Sequence, residues 1–557
     1  MELIYETANS DTQVGGQKPS SLTDLPIDIL VYLLDNFLHL EEWRKDKLNW
    51  DEPWGVHAAT EGLQTIQNLR QVCRLFHDLV SPLLCRRLRI HLDPQSLDQA
   101  RGILRNRAIA SGVRGVRVAI PYRPKELALN LSSFVDVRLK QLAEPYHEIM
   151  SILDTRWMNG DPDDTQDEES FPRERKNYHD ILFSWRPRET STEDAADSGA
   201  FVYKTHKIEP AVRDEYKQIL LQGHEIFRER YEAQQKLIET GLFVETIADL
   251  IRQIPNTVSL SLVDRFPPKS YRERKDISLL VNKEELLPFL TSPFNWSDLW
   301  TMPDPPQLIP ARILTELPIA IHKSGRSLRH LHLGCIPVEH GFEQLDPGTD
   351  GFSWSQLREA CQQLEVFDLK GPQMNLLPFR PESIPLPSRQ FLVEFFGAIL
   401  SSNKLQDVNL GLLCLGVNNG RDNDREWCPL GAIFRNISWP NIRKVRVSDI
   451  GFSQDELDQF CSGLGFGLEK LSLGSFQLRS GSWVDAIDML HERVAVRHAT
   501  PGFWCYFSGM IGGEFGGGKK TVDITRALMM GYIQDERTSR ALTLQLLRII
   551  VQEHLTK

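Results

Sequence analysis

One spacing of apolar residues recurs along the second half of this 557-residue chain and constrains its fold more than any other feature. In each occurrence an apolar residue is followed by two others, a second apolar residue, one other and a third apolar residue. The clearest occurrences are Leu328/Leu331/Leu333, Leu364/Phe367/Leu369, Leu405/Val408/Leu410, Ile442/Val445/Val447 and Leu468/Leu471/Leu473. Residues two apart lie on the same face of a β-strand. We therefore expect short strands with one apolar face, and polar residues such as His332 and Arg446 on the other face.

Helical patterns precede several of these triplets. They are SQLREACQQ before Leu364, SRQFLVEFFGAILSS before Leu405 and SQDELDQFCSGL before Leu468. A repeated helix and strand resembles the unit of a leucine-rich repeat. Successive triplets begin 36, 41, 37 and 26 residues apart, so the repeat is longer and less regular than the usual 20 to 29 residues.

Two further triplets extend the pattern upstream. They are Val113/Val116/Val118 and the degenerate Thr257/Leu260/Leu262. We expect an α/β fold in which an irregular leucine-rich-repeat solenoid of parallel strands alternating with helices spans residues 96–500. Residues 501–557 are expected to be a C-terminal capping segment.

An ordinary α/β domain with a doubly wound parallel sheet is the alternative, because it would also alternate apolar strands with helices. No Gly-x-Gly-x-x-Gly turn follows any of the expected strands, so the nucleotide-binding form of that fold has no support in the sequence. A repeated supersecondary unit favours the solenoid.

The N-terminal region has a different character. Residues 1–20 are polar and predict a disordered lead. Residues 21–95 predict a compact helical unit, in which LTDLPIDILVYLLDNF and LQTIQNLRQVCRLFHDLVSPLLCRRL are the two helical stretches. These two stretches resemble the F-box. A charged segment at about 41–62 separates them and is expected to be an inserted loop, longer than the usual connection between helices.

The resemblance implies a partner. In F-box proteins the corresponding residues pack on the Skp adaptor subunit of a cullin-RING ubiquitin ligase. Here they would be Leu25, Pro26, Ile29, Leu30, Leu69, Val72, Cys73, Phe76 and Leu79. We expect Leu69, Val72, Cys73, Phe76, Leu79 and Val80 to share one face of a helix over residues 66–84.

With the repeats, the resemblance implies a non-catalytic substrate-recognition adaptor of an SCF-type ligase, in which the repeats bind a substrate protein. No motif identifies the substrate-binding residues. The alternative is a ligase-independent leucine-rich-repeat scaffold for protein interactions, whose N-terminal helices only cap the solenoid.

Composition limits the classes of partner and the cellular compartments that we expect for this protein. The net charge of -11 disfavours nucleic-acid partners, and no apolar stretch is long enough to cross a membrane. The eight cysteines stand singly and the N-terminus lacks a secretory pattern, so we expect an intracellular protein of the cytoplasm or nucleus. Two acidic runs, DPDDTQDEES and ETSTEDAADSG, predict a flexible insertion at about 154–200.

Two sequences invite a chemical interpretation. GEFGGGK at Gly513–Lys519 fits the glycine and lysine spacing of a phosphate-binding loop, but Lys520 stands where Ser or Thr would bind magnesium. A glycine-rich turn is the preferred interpretation, and a nucleotide-dependent enzyme using Lys519 is a remote alternative. Histidines occur at His322, His330, His332 and His340 without metal-ligand spacing, so His330 and His332 are expected to be exposed strand residues. We expect no cofactor, no metal and no catalytic residue.

Overall fold

A computed structural model describes the following residues: 25–37, 56–142, 170–185, 208–256, 259–265, 283–299, 302, 305–337, 339–348, 352–370, 386–412, 430–495, 504–508 and 511–512. The chain divides into two compact units, Met1–Leu84 and Cys85–Lys557. The predicted disordered lead and the segment Gly513–Lys519 lie outside the described residues.

The first unit is helical. Helix α1 is Ile27–Phe37, α2 is Val56–Val72 and α3 is Arg74–Val80, followed by a 3-10 turn at Ser81–Leu84. The carbonyl of Pro26 accepts hydrogen bonds from the amides of Ile29 and Leu30, which starts α1 at the predicted proline. Of the predicted loop at 41–62, residues 41–55 lie outside the described part, and α2 already begins at Val56.

One prediction for this unit is wrong. Cys73 has extended backbone angles, φ -161° and ψ 170°, so the expected helix over 66–84 is divided into α2 and α3. Of the six residues predicted to share one face, two therefore lie on α2 and three on α3, while Cys73 lies between these helices, which contact each other. Apolar spacing at 3.6 residues continues through an extended residue unchanged, so the pattern carried no sign of the break.

The second unit contains ten described strands. They are β1 (Arg87–His91), β2 (Gly115–Ala119), β3 (Ser259–Val263), β4 (His330–Leu333), β5 (Val366–Lys370), β6 (Asp407–Gly411), β7 (Lys444–Ser453), β8 (Lys470–Ser480), β9 (Trp504–Ser508) and β10 (Ile511–Gly512). The first of these strands lies within the range predicted for the F-box-like unit.

Helices of the second unit connect these strands. They are α4 (Pro94–Arg105), α5 (131–142), α6 (Ser170–Trp185), α7 (Pro210–Glu239), α8 (Leu242–Gln253), α9 (Lys283–Thr291), α10 (Ile313–Lys323), α11 (Trp354–Cys361), α12 (Leu386–Ile399), α13 (Gln454–Ser462) and α14 (Trp483–Leu490). Shorter helical segments are Arg107–Ala110, Lys125–Leu129, Trp296–Leu299, Ile309–Arg312, Glu339–Leu345, Gly431–Phe434 and His491–Ala495.

The strands form one parallel sheet whose order from β1 to β8 is the order of the chain, and both β9 and β10 pair with β8. The described strands show no reversal of order, which a doubly wound sheet requires. The expected α/β class with parallel strands is confirmed.

The predicted triplets stack in register across the sheet. Aligned neighbours are Val116, Leu260, Leu331, Phe367, Val408, Val445 and Leu471, and the third triplet residues align in the same way two positions later. We call these two buried rows the apolar ladder. Thr257 lies outside the described residues. The ladder has a further rung that the sequence analysis missed, Leu88/Ile90 on β1. In the strand register, Cys505 and Phe507 of β9 pair with Leu471 and Leu473.

Helices cover the apolar side of the sheet. Helices α4, α8, α10, α11 and α12 contact one another in that order, the turn Gly431–Phe434 continues the row, and α13 and α14 complete it. Their buried residues and the apolar ladder of β1 to β8 belong to one hydrophobic cluster.

Three helices of this layer have side-chain caps at their N-termini. Asp93 accepts a hydrogen bond from the Ser96 amide at 2.7 Å before α4, and Ser353 caps α11 in the same way. At α13, Ser453 and Glu456 form a reciprocal capping box. Such caps satisfy amides that have no partner within the helix.

The predicted flexible insertion at 154–200 is partly helical, which corrects the prediction. Helix α6 occupies Ser170–Trp185, where Tyr178, Ile181, Leu182 and Trp185 are buried at helical spacing. The acidic composition of the surrounding sequence concealed this short apolar stripe. The remaining residues of the insertion lie outside the described part.

Truncation of one rung tests the apolar ladder. The Leu410 side chain has no exposed surface, so Leu410→Ala would leave a cavity and should lower the free energy of unfolding by about 2 to 5 kcal/mol. Lys444→Ala, on an exposed position of the next strand, is the control and should change it by less than about 0.5 kcal/mol. Urea unfolding followed by circular dichroism measures both, and equal effects would contradict the stacking of the ladder.

Candidate functional site

The first unit exposes large apolar side chains. Ile27, Ile29, Leu33 and Val72 expose 57%, 46%, 41% and 64% of their surface. Ile29 and Leu33 are one helical turn apart and therefore lie on the same side of α1. Exposed apolar residues gathered on a small helical unit are typical of a surface that binds another protein.

The nine residues predicted to bind the adaptor fall into three groups. Leu30 and Phe76 are buried, Leu25, Leu69, Cys73 and Leu79 are half-buried, and Pro26, Ile29 and Val72 are exposed. Burial of Leu30 and Phe76 indicates that they stabilise the unit. Ile27 and Leu33 were not among the predicted residues, although their apolar character within α1 would have allowed the inference.

The second candidate surface is the side of the sheet that faces away from the helices, which we call the polar face. Its first row is Arg87, Gly115, Ser259, His330, Val366, Asp407, Lys444 and Lys470. Its middle row is Arg89, Arg117, Ser261, His332, Asp368, Asn409, Arg446 and Ser472. The third row includes His91, Ala119, Val263, Lys370, Gly411, Ser448 and Gly474.

Charge is unevenly distributed over the polar face. Its two aspartates, Asp368 and Asp407, lie on the central strands β5 and β6. Arginines occupy β1 and β2 on one side, and lysines and an arginine occupy β7 and β8 on the other. The face therefore has both aspartates, together with Lys370, at its centre and basic residues at its two ends.

The middle row is connected by polar contacts at the centre of the sheet. The Ser261 hydroxyl lies 2.8 Å from Nδ1 of His332, and Nδ2 of Asn409 donates to Oδ1 of Asp368 at 2.6 Å. Nε2 of His332 lies 3.7 Å from Oδ2 of Asp368, which is too long for a hydrogen bond. The first row has a corresponding contact, in which the Ser259 hydroxyl lies 2.9 Å from Nδ1 of His330.

Burial determines the charge state of this centre. Burial, together with the smaller effect of the positive charges of Arg117 and Arg87, lowers the pKa of His332 to about 3. Burial also raises the pKa of Asp368 to about 6, against the opposing hydrogen bond from Asn409. Near neutral pH, His332 is therefore neutral, and it forms no ion pair with Asp368.

Ser261, His332 and Asp368 are the residue types of a nucleophilic relay, but their geometry does not suit that chemistry. The Ser261 side chain has no exposed surface, and His332 exposes only 3%. A nucleophile must reach a substrate, and its base must be oriented by a hydrogen bond. The row is better suited to ordering the centre of a binding surface.

The histidine prediction was wrong for His332. It is buried because Ser261 and Asp368 flank it on neighbouring strands, whereas His330 is half-buried and His322 is exposed on α10. Strand alternation assigns a residue to a face and says nothing about how neighbouring side chains cover it. In the described part of the chain, no group of three His, Cys, Asp or Glu residues is placed to hold a metal ion.

Comparison with known protein families finds no match, and comparison with curated proteins finds no similar sequence. Among the described helices, none is long and apolar enough to cross a membrane. The functional assignment therefore depends on the two surfaces themselves.

Replacement of Asp368 by Asn tests the electrostatics of the polar face. A carboxyl whose folded pKa is raised from 3.8 to about 6 contributes stability at low pH that is lost as the pH rises through about 6. Asn keeps the acceptor for Asn409 and does not ionise. We expect the stability of Asp368→Asn relative to the wild type to increase by about 1 kcal/mol between pH 5.0 and pH 7.5.

Urea unfolding at the two pH values measures this difference. The same substitution at exposed Asp136 is the matched control. A relative stability of Asp368→Asn that stays constant or falls as the pH rises would contradict a raised pKa.

Proposed function

We propose that this chain is a non-catalytic substrate-recognition adaptor of an SCF-type cullin-RING ubiquitin ligase. The first unit acts as an F-box and binds the Skp adaptor subunit. The second unit is an irregular leucine-rich-repeat solenoid, and it binds a substrate protein. The observation that carries the proposal is the exposure of apolar side chains at positions of the F-box motif.

The sheet supports the repeat part of the proposal. Its strands follow chain order, their apolar rungs align, and successive helices contact one another on one side. Repetition of one supersecondary unit with contacts between neighbours is the architecture of solenoid repeat proteins. Such proteins use the extended surface of their strands for binding, which here is the polar face.

The first unit supports the adaptor part. Pro26, Ile29 and Val72 belong to the motif and are exposed, while Leu30 and Phe76 of the same motif are buried and hold the unit together. Burial of each exposed large apolar side chain in an interface would contribute on the order of 1.5 to 3 kcal/mol before the costs of association.

The proposed activity needs no bond chemistry in this chain. An adaptor that holds the ligase through one unit and a substrate through the other raises the effective concentration of the substrate at the ubiquitin-charged enzyme. A neutral, buried His332 and an inaccessible Ser261 are compatible with such a passive role.

Charge insertion on the exposed apolar side chains tests the proposal. The double variant Ile29→Asp/Val72→Asp should weaken binding of the full-length chain to purified Skp subunit at least 100-fold, because carboxylates would be buried in an apolar interface. Leu242→Asp is the matched control, since Leu242 is also 46% exposed and lies in the second unit. Isothermal titration calorimetry measures the affinities, and circular dichroism verifies that each variant is folded.

The outcomes separate the two candidate functions. Binding by the wild type and by Leu242→Asp, with loss in the double variant, supports the ligase adaptor. Absence of binding by the folded wild-type chain would contradict it and would favour a ligase-independent scaffold.

A further inference from the structure

We propose that the polar face binds an acidic, extended segment of a partner protein at a basic cluster formed by Lys370, Lys444, Arg446 and Lys470. The inference rests on the proposed function only where it calls this partner a substrate. Binding of an acidic segment can be tested separately from binding of the Skp subunit.

The sheet register brings the cluster together. Lys444 on β7 is the direct neighbour of Lys470 on β8, and Arg446 lies two residues further along β7 on the same face. Like charges directly opposite each other on adjacent strands are destabilising. Lys444 and Arg446 are exposed and form no ion pair among the described residues. Their proximity favours an anion at this place.

Lys370 extends the cluster across β6. The pKa of Lys370 is lowered first by burial and then by the positive charge of Arg446, so the two cations are close enough to repel each other. Its ammonium lies 4.0 Å from Oδ2 of Asp368, a carboxyl whose pKa is itself raised by burial. A carboxylate from a partner would reduce the repulsion between Lys370 and Arg446.

The charge contrast with the rest of the chain points to an acidic protein partner. The chain carries a net charge of -11, whereas the three rows of the polar face contain two aspartates and seven arginines and lysines, of which only Arg117 is buried. A surface opposite in sign to its protein steers a complementary partner and selects against others. A long polynucleotide would be repelled by the remainder of the chain and by the central aspartates, so a short acidic peptide segment fits better.

A groove provides room for such a segment. It has a volume of about 470 Å³ and lies just before the starts of β5 to β8, where its lining includes Arg443, the residue that precedes Lys444. Two basic residues and one acidic residue line it together with uncharged ones; the lining is Lys404, Arg443, Glu365, Gln406, Pro440, Asn441 and Gly467. Strands β5 to β8 span about 14 Å at their usual spacing, which four or five residues of an extended peptide would cover. Alternate acidic side chains of that peptide would face the cluster.

Fluorescence anisotropy of labelled peptides on the full-length chain tests the proposal. The probe is a fluorescein-labelled peptide with glutamate at every second position, and the same peptide with glutamine is its uncharged counterpart. We expect the glutamate peptide to bind at least tenfold more tightly, with an affinity that falls as salt is added. Lys444→Glu/Arg446→Glu should reduce that affinity at least tenfold.

The control variant is Arg105→Glu/Arg358→Glu, which changes the net charge equally at exposed positions of α4 and α11. Its affinity should stay within twofold of the wild type. Equal losses in the two double variants, equal affinity for the two peptides, or tighter binding of a single-stranded RNA would overturn the proposal. Binding that emerges only after deletion of residues 160–169 would also overturn it, because that result assigns the face to the chain's own acidic segment.

A parallel titration with the Skp subunit separates this inference from the proposed function. Lys444→Glu/Arg446→Glu should bind that subunit as the wild type does. If the chain binds the acidic peptide but does not bind the Skp subunit, the acidic-segment site is supported and only the proposed ligase function is contradicted.

Discussion

Burial of the apolar ladder between the parallel sheet and its helices is the constraint on which the rest of the second unit depends. Leu331, Phe367 and Val408 can share one buried row only if each strand pairs with the next in a single register. A slip by one residue would turn Asp368 and Arg446 toward the helices. The ladder therefore fixes the strand order, the position of the helical layer and the residues of the polar face together.

The polar face follows from that constraint and acquires its own electrostatics. At the centre, burial keeps His332 neutral and makes ionisation of Asp368 costly, while exposed cations remain on β7. On this face the Ser261 side chain is inaccessible to a substrate, whereas the charged side chains of Lys444 and Arg446 are exposed. The first unit has the opposite character, with apolar side chains such as Val72 exposed to solvent.

The sequence predicted the repeated strands of the sheet, but it did not predict features that depend on one residue, such as the helix break at Cys73. Apolar triplets such as Leu405/Val408/Leu410 were sufficient to predict the strands and their buried face, because every strand must bury the same positions. The break at Cys73 leaves the apolar period intact, and the buried stripe of Ser170–Trp185 is short within an acidic stretch. Burial of His332 depends on side chains from other strands. The exposure of Ile29 depends on packing within the first unit, which spacing alone does not determine.

We propose that binding is divided between two dissimilar surfaces, with the Skp subunit on the first unit and an acidic segment on the polar face. Hydrogen–deuterium exchange of the full-length chain, with and without the purified Skp subunit, tests this division of binding. We predict slower exchange on complex formation in Ile27–Phe37 and Val56–Val80, with the strands from Arg87 to Ser480 unchanged. Protection of those strands instead, or no protection anywhere at saturating Skp subunit, would contradict this division of binding.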